Sequence, residues 1–272
     1  MTVDICMPVY NGEAYIYETL KAYCEQSYPY FRLLVSDDAS SDRTSLEVQR
    51  FIADFPAVNL VYFEQPCNLG VVGNCNFLIN LIESDFVVFT AGDDRPAPRR
   101  LELQVDKLNE GYDMCFGNYQ EFLLSGEHGY CPSTTNPQQE FDWTSYHKVK
   151  LNTITVMLKS TLALGRVHTS QYNDWLFYLR IFEEEKIRGF FLQDIIVFYG
   201  RDGNGLNAFV LSDQYYKKKL LISYEVCKST IYYIVQEKQI SLPLLTYVIR
   251  HSLSLLKSLF LYGINTISTK KH

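Results

Sequence analysis

A chain of 272 residues, 47% apolar and carrying 21 Tyr and 17 Phe, is long enough for one large α/β domain with an appendage and can bury a sizeable core. Its net charge of −6 excludes nucleic acid as a generic partner. Seven scattered cysteines with no C-x-x-C spacing exclude a zinc ribbon or a disulfide framework and read as reduced, mostly core-filling thiols.

In chain order, "VDICMPVY" (residues 3–10) reads as a strand with no basic leader before it, the expectation for a cytoplasmic chain. "GEAYIYETLKAYCEQ" carries apolar residues at helical spacing, and "FRLLVS" is again a strand. "SDRTSLEVQRFIADF" opens on cap-forming residues, with Ser40, Ser41 or Asp42 available to start the helix. "VNLVYFEQ", "VVGNCNFLINLIES" and "FVVFT" follow as strand, helix and strand. Repeated β-α units of this size predict parallel strands joined by right-handed crossovers, with ligands beyond the carboxyl ends of the strands.

After residue 107 the pattern changes. "YDMCFGNYQEFLL" suggests one strand bending into another, and residues 125–142 read as a surface loop rich in Gly, Pro, Ser and Asn. "NTITVMLK" reads as a strand, "YNDWLFYLRIFEEEK" as an amphipathic helix and "GFFLQDIIVFYG" as a strand. The expected division is a catalytic region over 1–210, with halves 1–107 and 108–210, and a helical region over 211–272. Residues 215–272 hold nine Lys/Arg against two acids, +7, leaving −13 for the first 214. The segment "LLTYVIRHSLSLLKSLFLYGI" is amphipathic and interrupted by Arg250, His251 and Lys257, so it reads as a helix packed on the domain or lying at a membrane surface, not as a span.

Three strand ends are polar: "PVYN", "SDDAS" and "TAGDD". A helix cap needs one acid, whereas Asp93 and Asp94 stand together after an apolar strand. Paired hard-oxygen ligands at such a place point to Mg²⁺ or Mn²⁺, which take one or two protein carboxylates and leave other positions to phosphates and water. Asp38, after Asp37, can accept a hydrogen bond from an imide N–H such as N3 of uracil, or hold a ribose hydroxyl. Tyr10 can stack on a base, but from "PVYN" alone a turn with Tyr10 packed on the core is the better reading.

The ordered set "ICMPVYNGEAYI", "LLVSDDASSDRT", "NLGVVGNCN" and "FTAGDD" resembles the nucleotide-sugar-binding half of the family 2 glycosyltransferases, enzymes of the GT-A fold. The resemblance implies a Rossmann-like, mostly parallel sheet flanked by helices. It also implies that Pro8, Tyr10 and Asn11 border the uracil, that Asp38 bonds its N3 edge, and that Asn68, Gly70 and Asn76 lie beside the nucleotide. Asp93 and Asp94 fall at the family's DXD-type position, where the leading acid is replaced by Ala91. The later segment "YNDWLFYLRIFEEEK" is similar to the part of the family carrying an acid and a Trp at a helix start. That implies Asp174 as general base and Trp175 lining the acceptor or donor pocket. Asn173 stands where the family often has Glu, and "FYGRDGN" lacks a His common after the next strand, with Arg201 left to reach the diphosphate.

The expected activity is inverting transfer of a sugar from a UDP-sugar to a hydroxyl of a saccharide acceptor, lipid-linked as in bacterial surface-polysaccharide (O-antigen) assembly. A cation held by Asp93 and Asp94 would stabilise the departing diphosphate, and one carboxylate on the opposite face would take the acceptor's proton. The expected location is the cytoplasm, at the inner face of the membrane if residues 215–272 meet lipid. A sugar-phosphate nucleotidyltransferase is disfavoured because no Lys or Arg precedes Lys21 and no G-x-G follows the first strand. A non-catalytic nucleotide-sugar or polysaccharide binding module is the remaining alternative.

Overall fold

The computed structural model describes residues 1–123, 139–143, 145, 151–168, 174–201, 249, 252 and 253; for 174–176, 179, 183 and 201 it describes the backbone. Of the C-terminal helical expectation, Ile249, Ser252 and Leu253 are described and are helical. The rest of residues 202–272, and the 124–138 part of the expected loop with His128, lie outside the described residues, as does His147. Among the described residues no helix is long and apolar enough to cross a membrane.

The first half alternates as the periodicity predicts: β1 (Val3–Val9), α1 (Ile16–Cys24), β2 (Phe31–Asp37), α2 (Thr44–Asp54), β3 (Leu60–Glu64), α3 (Gly70–Ile79) and β4 (Phe86–Phe89). These four strands pair in parallel in the order β3-β2-β1-β4. β1 is buried along nearly its whole length, because helices cover both faces of a parallel sheet. Successive residues divide between two cores. Cys6, Leu34 and Val87 pack with Leu78, Phe177 and Ile181 of the helices on one side. Ile5, Met7, Val35 and Val88 pack with Leu20, Phe51, Leu101 and Val105 on the other. Each such side chain contributes about 1.5–3 kcal/mol through burial.

The second half comprises β5 (Arg95–Pro96), α4 (Arg100–Asn109), β6 (Met114–Leu123), β7 (Glu140–Asp142), β8 (Met157–Lys159), α5 (Asp174–Glu185) and β9 (Arg188–Arg201). Here the sheet is mixed. β8 lies antiparallel between β4 and β6, β6 and β9 are parallel, and β5 and β7 are short antiparallel partners of β9. The expectation of a mostly parallel sheet therefore holds from β3 to β4 and gives way beyond it. β6 is one continuous strand, with its bend taken up by register shifts between Gly117 and Tyr119. Only the last three residues of "NTITVMLK" are strand; Thr153–Thr155 form a 3₁₀ turn. The Thr155 hydroxyl donates to Asn152 O at 2.8 Å, and Gln104 Nε2 donates to Thr155 O at 2.7 Å, so local bonds replace a ladder there.

Candidate active site

Because β2, β1 and β4 are parallel neighbours, the loops that follow them open on one edge of the sheet. Two inter-strand steps, about 10 Å, separate the β2 and β4 ends. The loops after β1 and β2 are tied by several polar bonds. Asn11 N–H donates to Ser40 Oγ at 2.8 Å, and Asn11 Oδ1 accepts from Ser41 N–H at 2.9 Å. Gly12 N–H donates to Thr44 Oγ1 at 2.7 Å, and Glu13 N–H to Asp42 Oδ2 at 3.1 Å. Asp42 also accepts Thr44 N–H at 3.0 Å, so it is the acid that starts α2. Asn11 (φ 51°) and Ala39 (φ 58°) are both left-handed without being glycine, a strained arrangement that the surrounding bonds maintain.

The two acids after β2 differ. Asp37 is a brace: its carboxylate accepts Ser40 N–H at 2.9 Å and the Tyr62 hydroxyl at 3.0 Å, and burial, reinforced by the Asp37 charge, pushes that phenol well up. Asp38 Oδ1 accepts Leu69 N–H at 2.6 Å, which ties the β2 end to the start of α3. There Gly70 (φ 71°) makes a turn that suits glycine, and its N–H donates to Asn68 Oδ1 at 3.0 Å. Tyr10 is half exposed, so its ring is presented at the edge and the turn-on-core alternative does not hold; Pro8 is half-buried.

Asp93 and Asp94 also separate. Asp93 is half-buried, whereas Asp94 is fully buried. Asp94 Oδ1 accepts Gly200 N–H at 3.2 Å, and Oδ2 has no partner among the described residues. Burial, reinforced by the Asp93 charge, raises the Asp94 carboxyl well above the ordinary carboxylate range despite the nearby buried Arg100 guanidinium. The turn is held from the other side by β9. A Cβ on Gly200 would stand 2.3 Å from Asp93 O, so only glycine permits this approach, and the next residue is Arg201. The β5–β9 pairing of Arg95 with Phe198 fixes the same junction.

Asn76 does not face the strand ends as a free amide. Its Nδ2 donates to His168 O at 3.0 Å and its Oδ1 accepts His168 N–H at 2.7 Å. The Asn11 side chain likewise serves the loop–loop bonds. Asp174 begins α5, with Trp175 next, and Arg201 ends β9; the side chains of all three, and the whole of Asn173 and Asp202, lie outside the described residues. Sequence reasoning missed the bracing by Ser40, Ser41 and Thr44 and the cradle at Gly200. The signal was present in both cases: a Ser/Asp-rich run after a strand, and a lone glycine at a strand end.

Among the described residues no group of three or more His, Cys, Asp or Glu side chains could hold a metal alone. The donor set fits a cation that takes one protein carboxylate here and completes its shell with phosphate oxygens and water, as Mg²⁺ and Mn²⁺ do. The accessible Asp93 suits that role. Asp94, with Oδ1 on Gly200 N–H, keeps Oδ2 uncommitted among the described residues.

The family model described as "Glycosyl transferase family 2" matches residues 4–170. The chain is 27% identical over 187 residues to the Escherichia coli UDP-Glc:alpha-D-GlcNAc-diphosphoundecaprenol beta-1,3-glucosyltransferase WfgD, covering 65% of this chain and 70% of that one. It superposes on S. aureus TarS bound to UDP-GlcNAc with a TM-score of 0.64 at 22% identity, covering 83% of this chain and 66% of TarS residues 1–349. The mannosyltransferase PcManGT of Pyrobaculum calidifontis, in complex with GDP-Man and Mn²⁺, superposes with a TM-score of 0.65 at 17% identity over 94% of this chain and 72% of that one. At these identities the two likenesses speak for the fold alone, which is GT-A.

Proposed function

The chain belongs to glycosyl transferase family 2, and from that premise we propose that it transfers a sugar from a UDP-sugar to a hydroxyl of a lipid-linked saccharide, with inversion at the anomeric carbon. The observation that carries this reading is the single sheet edge shared by Tyr10, Asp38 and Asp93, with the β9 end packed on the Asp93 turn. In this reading the Tyr10 ring stacks on the uracil, with Pro8 beside it. Asp38 accepts from the N3 edge, leaving Asn68 and Gly70 at the nucleotide's flank.

The diphosphate lies between Asp93 and Arg201. A divalent cation bound at Asp93 would supply Lewis-acid neutralisation of the leaving diphosphate. Asp94 is a buried acid whose bond to Gly200 N–H holds the turn in place. Asp174, at the start of α5, takes the proton of the attacking hydroxyl, a contribution of about 10²–10⁴ in rate. Trp175 lines the adjoining pocket. One base opposite the leaving group gives direct displacement and hence inversion.

The lipid-linked acceptor class is drawn from WfgD, whose name specifies a diphosphoundecaprenol-linked sugar. The +7 charge of residues 215–272 supports a contact with an anionic membrane surface, where such acceptors reside. Liposome flotation with and without those residues tests the contact: loss of co-flotation on truncation is expected, and equal flotation of both would dismiss it.

Incubation with a panel of UDP-sugars and a diphosphoundecaprenol-linked acceptor, read by mass spectrometry, tests the activity. Growth of the acceptor by one sugar residue is expected. Tight UDP binding with every donor left intact would mark a binding module instead.

A further inference from the structure

Resting on the glycosyltransferase reading, we propose that Asn76 is a positioning residue: its amide clamps the main chain at His168 and so fixes where α5, which begins at Asp174, stands relative to the donor-binding edge. Asn76 sits on α3 and reaches a residue 92 positions away in sequence. It grips both main-chain groups of His168, donating to O at 3.0 Å and accepting from N–H at 2.7 Å. Two antiparallel bonds to one residue fix its orientation as well as its distance, as a β-bridge does.

The His168 ring completes the connection. It is 8% exposed, stacks on Phe177 of α5 with centroids 4.2 Å apart and planes 9° apart, and meets Phe89 edge-on at 5.6 Å. Phe89 and Phe177 also touch edge-on at 6.0 Å. Phe89 is the last residue of β4, four before Asp93, and Phe177 comes three residues after Asp174. One compact cluster thus links the strand that leads to the diphosphate side, the helix that starts beside Asp38, and the helix that opens on the proposed base. Nothing polar among the described residues meets the imidazole Nε2, so the ring's role here is packing. Because both polar atoms of Asn76 are occupied, the arrangement favours a clamp over the nucleotide contact expected from the sequence.

The experiment compares wild type with Asn76→Ala, Asn76→Gln and His168→Phe. Three quantities are read: the Kd for UDP with Mn²⁺, kcat and KM for transfer, and hydrogen exchange at His168 and the α5 amides. Asn76→Ala should lower transfer kcat about 10–100-fold, the scale of an ångström-level misplacement. Its UDP Kd should stay within about 2-fold of wild type, with faster exchange at His168 and the first turn of α5. Asn76→Gln keeps the amide but displaces it by a methylene, so it should show the same kcat loss in a folded protein even if the alanine variant does not fold. His168→Phe keeps the stack and both main-chain groups and should transfer as wild type does.

Unchanged kcat and exchange in the Asn76 variants would overturn the proposal. So would a loss of UDP affinity in step with kcat, which would return Asn76 to the nucleotide. If wild type transfers no sugar from any donor, the functional reading has failed separately, and exchange at α5 still decides whether the clamp exists.

Discussion

Acidification from pH 7.5 to 4.5 should destabilise the wild-type protein more than His168→Phe, and the size of the difference follows from burial. The imidazole is sealed between β4 and α5, and burial pushes its pKa down to about 4 from 6.5. The unfolded chain therefore takes up a proton at His168 as pH falls through 6.5, while the folded chain resists until about 4. Stability from this site is complete above pH 6.5 and is lost progressively between 6.5 and 4. At about 1.4 kcal/mol per pH unit, the loss by pH 4.5 is about 2.5 kcal/mol. Asp94 works in the opposite sense, since its raised pKa favours the fold on the acid side, but it is common to both proteins and cancels in the comparison.

Urea unfolding of both proteins at the two pH values, followed by tryptophan fluorescence, gives the double difference directly. A value of about 2–3 kcal/mol is expected. A value below about 0.5 kcal/mol, the usual error of such cycles, would mean that His168 is not sealed in the fold, and the clamp argument would lose its ring component.

Other substitutions separate the roles assigned at the sheet edge. Asp94→Asn keeps the acceptor for Gly200 N–H and should retain Mn²⁺-dependent UDP binding, whereas Asp94→Ala leaves that N–H unpaired and should cost about 1–3 kcal/mol of stability in chemical denaturation. Gly200→Ala puts a methyl 2.3 Å from Asp93 O, so calorimetry should show weakened Mn²⁺–UDP binding and a fold less stable by about 1–3 kcal/mol. Tyr10→Phe should leave UDP affinity near wild type, while Tyr10→Ala should weaken it by about 1–3 kcal/mol, the worth of one base–aromatic stack. Equal affinities of the two Tyr10 variants would remove Tyr10 from the base site.

The β-α alternation through residue 89 was legible because each element carries its own period and the parallel strands read as largely apolar runs. The polar strand ends were legible for the same reason: Asp38 and Asp93 stand where those runs stop. What the two acids of each pair do was not legible. Asp37 and Asp38 differ only in which neighbours reach them, Tyr62 and Ser40 for one and Leu69 for the other, and those partners are set by tertiary packing. Asp94 is distinguished from Asp93 by a backbone N–H from Gly200, 106 residues away. The same holds for the second half of the sheet. β5 and β7 are two and three residues long, too short to carry a period, and exist because the 14-residue β9 offers them an edge. The amide of Asn76 could not be read from a motif either, since its partner is a main-chain N–H and C=O, which leave no side-chain signal in the sequence.

The account depends most on Asp93 as the cation-binding carboxylate of a nucleoside-diphosphate site. Isothermal titration of UDP into wild type and Asp93→Asn, each with and without Mn²⁺, tests it most directly. Binding that Mn²⁺ strengthens at least about 10-fold in wild type, a gain of about 1.4 kcal/mol, and leaves unchanged in Asp93→Asn is the predicted result. An equal Mn²⁺ effect in both proteins, or no UDP binding by wild type under any condition, would contradict it.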